Sequence, residues 1–254
     1  MTDKQQAEPF TVQFDFSVEL LFFLRKADCT QPLTRVLREK TSIKDAVEAC
    51  GVPHPEVNRI RCDGISVSFE HQLTRPASVL VSGWEGAPEP ELQQRRIARF
   101  VADGHLGKLA RDLRLLGFDL VYSPNAADDF LVRVAATEDR ALLTRDRRLL
   151  MHKIVRHGYC PRSVDPEEQI LEVLRRFDLR DLIAPYTRCM HCNGLLERAE
   201  KADVLAQLEP LTRLYYEDFC RCSDCGRIYW SGSHFGKLEA RIEKIRKSLI
   251  SPSS

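Results

Sequence analysis

Three aspartate positions stand where short apolar runs give out. Asp103 closes "RFVAD", Asp146 closes "ALLTRD", and Asp128 with Asp129 opens "DDFLVRVAATED". If the first two runs are parallel strands, their carboxyl ends share a rim, which is where open α/β sheets take ligands. Helical counting puts Asp128 on the face of Leu131, Val132 and Ala135, the side that packs on a sheet. Asp129 falls with Val132, Arg133 and Ala136 on a more exposed stripe, so Asp128 is the better directed acid and Asp129 a possible additional one. Helix capping or a first-turn dipole contact is the competing role for both. Carboxylates converging without a base between them repel one another unless a cation sits there. Oxygen-only ligand sets with open positions suit Mg²⁺ or Mn²⁺. Such ions activate water and stabilise the leaving oxygen of a phosphodiester. Arg111, Arg145, Arg147 and Arg148, with Arg114 and Lys153, would then serve a phosphate backbone, or simply solvate helix faces.

A second constellation is made of thiols. Cys189-x-x-Cys192 and Cys222-x-x-Cys225 stand 29 residues apart, and a glycine follows in each, Gly194 and Gly226. The paired spacing is that of two knuckles around one structural Zn²⁺, with glycine allowing the tight turn that aims backbone amides at the thiolates. Cys220 is a packed residue or an alternative ligand, and His191 a surface residue. Cys29, Cys50, Cys62 and Cys160 are scattered and read as small buried side chains. His105 and His234 lie near the two constellations in sequence, but a lone histidine is more commonly hydrogen-bonded scaffolding.

The elements that must position these groups follow from pattern. The chain has 254 residues and 43% hydrophobic content, enough for one large or several small cores. Its net charge of +1 is unevenly spread. Residues 1–94 carry 10 Lys+Arg against 14 Asp+Glu, net −4, and residues 95–160 carry 13 against 8, net +5. That asymmetry favours a polyanionic partner for the central segment. It also allows the N-terminal segment to fold back over the basic one, or to act as a separate docking module. Residues 10–83 read as strand, strand, helix, strand, strand, a small α+β unit, and "GWEGAPEPE" as a linker. From Arg99 onward strands alternate with helices: "RRIARFVAD", "GKLARDLRLLG", "FDLVYS", "ADDFLVRVAATED", "RALLTRD", "RRLLMHKIVRHG", "YCPRS" and "PEEQILEVLRRFDL". Such alternation predicts a mostly parallel sheet flanked by helices. The polar N-terminus and short apolar runs make a soluble, cytoplasmic protein the expectation.

Taken together, "VADGHLGKLARDLRLLGFD", "DDFLVRVAATEDRALLTRDRRLL", "DPEEQILEVL", "TRCMHCNG" and "CRCSDCGRIYWSGSH" resemble the Mut-seven C-terminal RNase domain, a PIN-like nuclease fused to a zinc ribbon. The resemblance implies a metal-dependent ribonuclease acting on RNA, with acidic ligands at Asp103, Asp128 and Asp146. Asp129 and Asp165 both qualify loosely for the fourth acid that PIN domains commonly carry. "IKDAVEACGVPHPEV" and "DGISVSF" resemble the ubiquitin-like β-grasp domain often fused ahead of this nuclease. That implies a protein partner for this domain. Sulfur carriage is not expected, because the unit runs on into "VSGWEGAPEP" instead of ending on a free Gly-Gly. The expected division is residues 1–84 β-grasp, 85–96 linker, 97–184 PIN-like domain, 185–236 zinc ribbon, and 237–254 C-terminal helix and tail. The alternative function is a non-catalytic module that binds RNA or a ribosomal partner through the PIN-like sheet and ribbon.

Overall fold

The computed structural model describes residues 8–25, 31–84, 92, 96–233 and 235–250. Most of the expected linker, and His234, lie outside the described residues. The chain divides into two compact units, one of residues 1–95 with 144–160 and one of residues 96–143 with 161–254.

In the first unit, β1 (Phe10–Phe16), β2 (Leu33–Leu37), β3 (Thr41–Ser42), β4 (Arg59–Cys62), β5 (Ile65–Ser66), β6 (Gln72–Leu73) and β7 (Ala77–Ser82) surround one helix, α1 (Ile43–Ala49). The main sheet runs β2-β1-β7-β4-β5, with the β1–β7 pair parallel and its other pairs antiparallel. Alternation along β1 buries Val12, Phe14 and Phe16 and exposes the residues between them. Ser42 caps α1, its hydroxyl accepting from the Asp45 amide at 3.1 Å. Strand β1 stops at Phe16, and Val18–Phe23 is a 3₁₀ helix that buries Leu20 and Phe23.

The second unit opens with β8 (Arg99–Ala102), α2 (Gly107–Leu115), β9 (Asp119–Tyr122), α3 (Asp128–Thr137) and β10 (Ala141–Leu143). The strands pair in parallel in the order β10-β8-β9, with Ala102 opposite both Leu143 and Tyr122, so all three end at one rim. Apolar residues fill both faces of β8 and β10, as a sheet covered on both sides requires. The Phe100 ring packs edge-on against Phe177 at 5.2 Å and Phe118 at 6.3 Å.

Beyond β10 the chain enters the segment that belongs to the first unit. Here α4 (Arg147–Leu150) is a single turn, and β11 (Gly158–Tyr159) follows. The longer helix expected from "RRLLMHKIVRHG" ends at Leu150. Chain then returns to the second unit as α5 (Pro166–Arg176). An antiparallel sheet of β12 (Leu196–Ala199), β13 (Phe219–Cys222) and β14 (Ile228–Trp230) carries the cysteines, with α6 (Lys201–Val204) and α7 (Pro210–Tyr215) inserted after β12. The terminal helix α8 (Phe235–Ser248) is tied to α2 by Arg241, whose guanidinium donates to both oxygens of buried Asp112 at 2.5 and 2.8 Å. Among the described residues no helix is long and apolar enough to cross a membrane.

Candidate functional site

Asp103 follows the last residue of β8 and its amide donates to the Leu143 carbonyl at 3.0 Å, which fixes it at the carboxyl rim beside the end of β10. The next residue explains how the neighbouring loop approaches. A Cβ on Gly104 would lie 2.4 Å from the Pro124 carbonyl oxygen, and one on Gly107 would lie 2.5 Å from the Tyr122 hydroxyl. That hydroxyl donates to the Gly104 carbonyl at 2.9 Å. The Asp103 loop therefore lies directly on the loop that leads from β9 to Asp128, an approach that only glycine permits.

Asp128 and Asp129 are the first two residues of α3, behind an N-cap position held by Ala127, whose side chain caps nothing. Leu131, Val132 and Ala135 are buried, as the face count requires. Both acids are exposed, and neither has an ion-pair partner among the described residues. Exposure thus does not separate the two.

Asp146 is not the last residue of its strand. It stands three positions beyond β10 as the N-cap of α4, where Oδ1 accepts from the amides of Arg148 at 2.7 Å and Leu149 at 3.3 Å. Capping and metal ligation can coexist in one carboxylate, because both amides use the same oxygen. Asp165 caps α5 in the same way, its Oδ1 accepting from the amides of Glu167 at 2.7 Å and Glu168 at 3.4 Å.

The arginines separate. Arg111, Arg145 and Arg148 are exposed. Arg147 is committed: Nη1 donates to the Phe23 carbonyl at 2.8 Å and Nη2 to Phe22 at 2.9 Å. Arg114 is buried, and its Nε donates to Leu120 at 3.0 Å and Nη1 to His191 at 2.8 Å. Burial holds its acidity above that of a free arginine, against the opposing pull of the nearby cysteines and Asp119. Arg147 and Arg114 thus both make structural ties to backbone carbonyls. His105 and His191 are exposed.

Among the described residues, one group of three or more metal-donor side chains comes close enough to share an ion: Cys189, Cys192, Cys222 and Cys225, with all four sulfurs within 4.8 Å of one another. The Cys189–Cys225 and Cys192–Cys222 Sγ distances are 3.7 and 3.4 Å. Tetrahedral ligation with Zn–S of about 2.3 Å implies S···S near ~3.8 Å, so the cage is already the size of a zinc site. Cys220 lies outside it, paired across the sheet with Tyr229. The two knuckles turn by different means. In the second, Gly226 takes the left-handed conformation at φ 70°, as expected; in the first, Asn193 takes it at φ 79°. Gly194 is needed for space instead, because a Cβ there would lie 2.8 Å from Cys222 Sγ.

Electrostatics in the cage also suit a cation. Burial raises the Cys189 thiol, but the Tyr229 hydroxyl at 3.1 Å and the amides of Cys192 and His191 outweigh it and bring the pKa down to about 6. Burial and the neighbouring sulfurs push Cys192 up to about 12. One thiolate forms readily and a second is opposed; a divalent ion removes that opposition. Pattern reading missed the groups that dock this cage: Tyr229, and the pair Asp119 and Asn193, joined at 2.8 Å. Buried Arg140 completes that docking by donating to Asp119 at 2.7 Å. An Asn immediately after the second cysteine of a knuckle was the available signal.

The second unit thus combines a parallel α/β sheet, with Asp103 at its carboxyl rim, and a four-cysteine cage. Residues 98–242 match the family model described as Mut7-C RNAse domain, and residues 10–83 match the one described as Mut7-C ubiquitin. The chain belongs to the Mut7-C RNAse domain family, with a ubiquitin-like domain ahead of it. No curated protein and no solved structure matches it significantly.

Proposed function

We propose that this chain is a divalent-metal-dependent ribonuclease, most simply an endonuclease, that hydrolyses RNA phosphodiester bonds. The family match over residues 98–242, a span that includes all three acids, carries the reading. Asp103, Asp128 and Asp146 would hold Mg²⁺ or Mn²⁺, with Asp129 as an additional acid. Support comes from the Gly104–Pro124 contact, which brings the loop of Asp103 onto the loop preceding Asp128. Asp128 and Asp129 without ion-pair partners among the described residues are the uncompensated charge that a hard cation neutralises. A bound ion would supply charge stabilisation and an activated water. Arg111, Arg145 and Arg148 would contact RNA phosphates, contributing affinity without sequence preference. The four-cysteine cage would hold a structural Zn²⁺ that takes no part in the chemistry.

The test is cleavage of mixed single-stranded and structured RNA by the purified full chain with Mn²⁺ or Mg²⁺ against EDTA, beside Asp146→Asn. Asparagine caps helices as well as aspartate does, so this variant removes the charge while keeping α4 capped. Cleavage that needs the added metal and is lost in Asp146→Asn supports the reading. Metal-independent RNA binding without cleavage in the wild type would make the protein a binding module.

A further inference from the structure

The segment that carries Asp146 is held from the N-terminal domain at three points. Arg147, the next residue, gives both ends of its guanidinium to the Phe23 and Phe22 carbonyls at 2.8 and 2.9 Å. The same guanidinium lies 5.0 Å from the Phe22 ring centroid and 5.3 Å from that of Phe23. Farther on, buried His54 donates from Nε2 to the Val155 carbonyl at 2.6 Å, while its Nδ1 meets Glu48 at 2.6 Å. At the end of the segment the Cys160 amide donates to Oε1 of Glu56, which is 1% exposed, at 2.6 Å.

These contacts explain why so short a helix is ordered. An isolated four-residue turn cannot support itself, since nucleation costs more than one turn returns. Here the turn begins at the Asp146 cap and is fixed at its first residue by Arg147. A planar fork that meets two adjacent carbonyls and two rings sets direction as well as distance, which a lysine would not.

We propose that Arg147, through Phe22 and Phe23, is a positioning residue for Asp146, so that the ubiquitin-like domain sets the direction of the carboxylate read above as a metal ligand. His54 and Glu56 anchor the far part of the same segment. The inference rests on the reading of Asp146 as a metal ligand. It gives the N-terminal domain a task within the chain, distinct from recruiting a partner.

The experiment uses the full-length protein and the variants Arg147→Met, Arg147→Lys, Phe22→Ala and Asp146→Asn. Single-turnover RNA cleavage is measured across RNA and Mn²⁺ concentrations, together with hydrogen exchange at the Arg148 and Leu149 amides that Asp146 caps. Arg147→Met is expected to lower the rate at saturating RNA by about 10- to 100-fold, the scale of an ~1 Å misplacement. KM should stay unchanged, the Mn²⁺ midpoint should rise, and the two capped amides should exchange faster. Arg147→Lys should recover part of the rate, and Phe22→Ala, which removes a ring but no carbonyl, should lose less than Arg147→Met. A raised KM at unchanged maximal rate would overturn the proposal in favour of Arg147 binding RNA. Unchanged rate and exchange in Arg147→Met, with Asp146→Asn inactive, would overturn the anchor while leaving the site intact. Wild-type cleavage by Asp146→Asn would instead remove the metal-ligand reading, and the proposal with it.

Discussion

Asn193 of the first cysteine knuckle donates from Nδ2 to Asp119 at the start of β9 across 2.8 Å, and its Oδ1 accepts the Leu120 amide at 2.9 Å. One side chain thus satisfies two groups of a sheet-edge strand and docks the ribbon there. Asn193→Gly keeps the left-handed turn and loses both bonds. It is expected to cost about 1–3 kcal/mol, the penalty for partly buried groups left unpaired. Asn193→Ala should cost about 1 kcal/mol more, because alanine resists positive φ. Denaturant unfolding of the two variants checks the order; a glycine variant as stable as wild type would show the contact to be idle.

Asp119 carries a pH signature. Burial raises its pKa, but the hydrogen bonds from Arg140 and Asn193 and the charges of Arg140 and Arg188 outweigh it, so the folded value lies below the ordinary 3.8. A depressed carboxylate contributes stability above its unfolded pKa and loses it as pH falls through the folded one. The stability gap between wild type and Asp119→Asn should therefore be full near neutral pH and shrink below about pH 4. Melting curves from neutral to acid pH test this, and a gap that widens on acidification would refute it.

Zinc should be present at close to one ion per chain after purification without chelators under reducing conditions. Cys192→Ser should lose the metal and loosen residues 185–236, while Asp103 and Asp128 keep their surroundings. Elemental analysis together with proteolysis of the C-terminal segment gives the answer. Metal-free protein with a stable ribbon would contradict the assignment.

Gly104→Ala places a methyl group 2.4 Å from the Pro124 carbonyl oxygen, where backbone must give way. The loops of Asp103 and Asp128 should separate, lowering cleavage by about 10- to 100-fold. Thermal stability should fall by less than Asn193→Gly loses, because the loop is at the rim. Wild-type cleavage by this variant would mean that the two loops need not touch.

Asp128→Asn is expected to reduce cleavage by at least ~100-fold, the loss that accompanies impaired metal charge stabilisation, and Asp129→Asn to reduce it little. Both side chains are exposed, so activity rather than structure decides between them. The reverse order would make Asp129 the ligand.

The four thiols were legible because zinc needs pairs of ligands on tight turns, and such turns leave a fixed spacing in sequence. Strands β8, β9 and β10 and helices α2, α3 and α5 were legible for a similar reason: apolar period and end signals act over a few residues. Even so, the local signal misplaced Asp146, which caps a helix three residues past its strand, and overextended α4. That helix ends early in a segment whose Val155 carbonyl is taken by His54, a partner 101 positions away.

Sequence alone determined the alternation of strands and helices from β8 to α3, the four-cysteine set and the family resemblance, all of which depend on near neighbours and ordered motifs. Tertiary structure decided which charges are spent on holding the protein together. Arg147 and Arg114 look as available as Arg111 in a string of letters, yet one is spent on Phe22 and Phe23 and the other on Leu120 and His191. An arginine's role follows from the carbonyls that surround it once the chain is folded, and no local pattern encodes a carbonyl from 124 residues away.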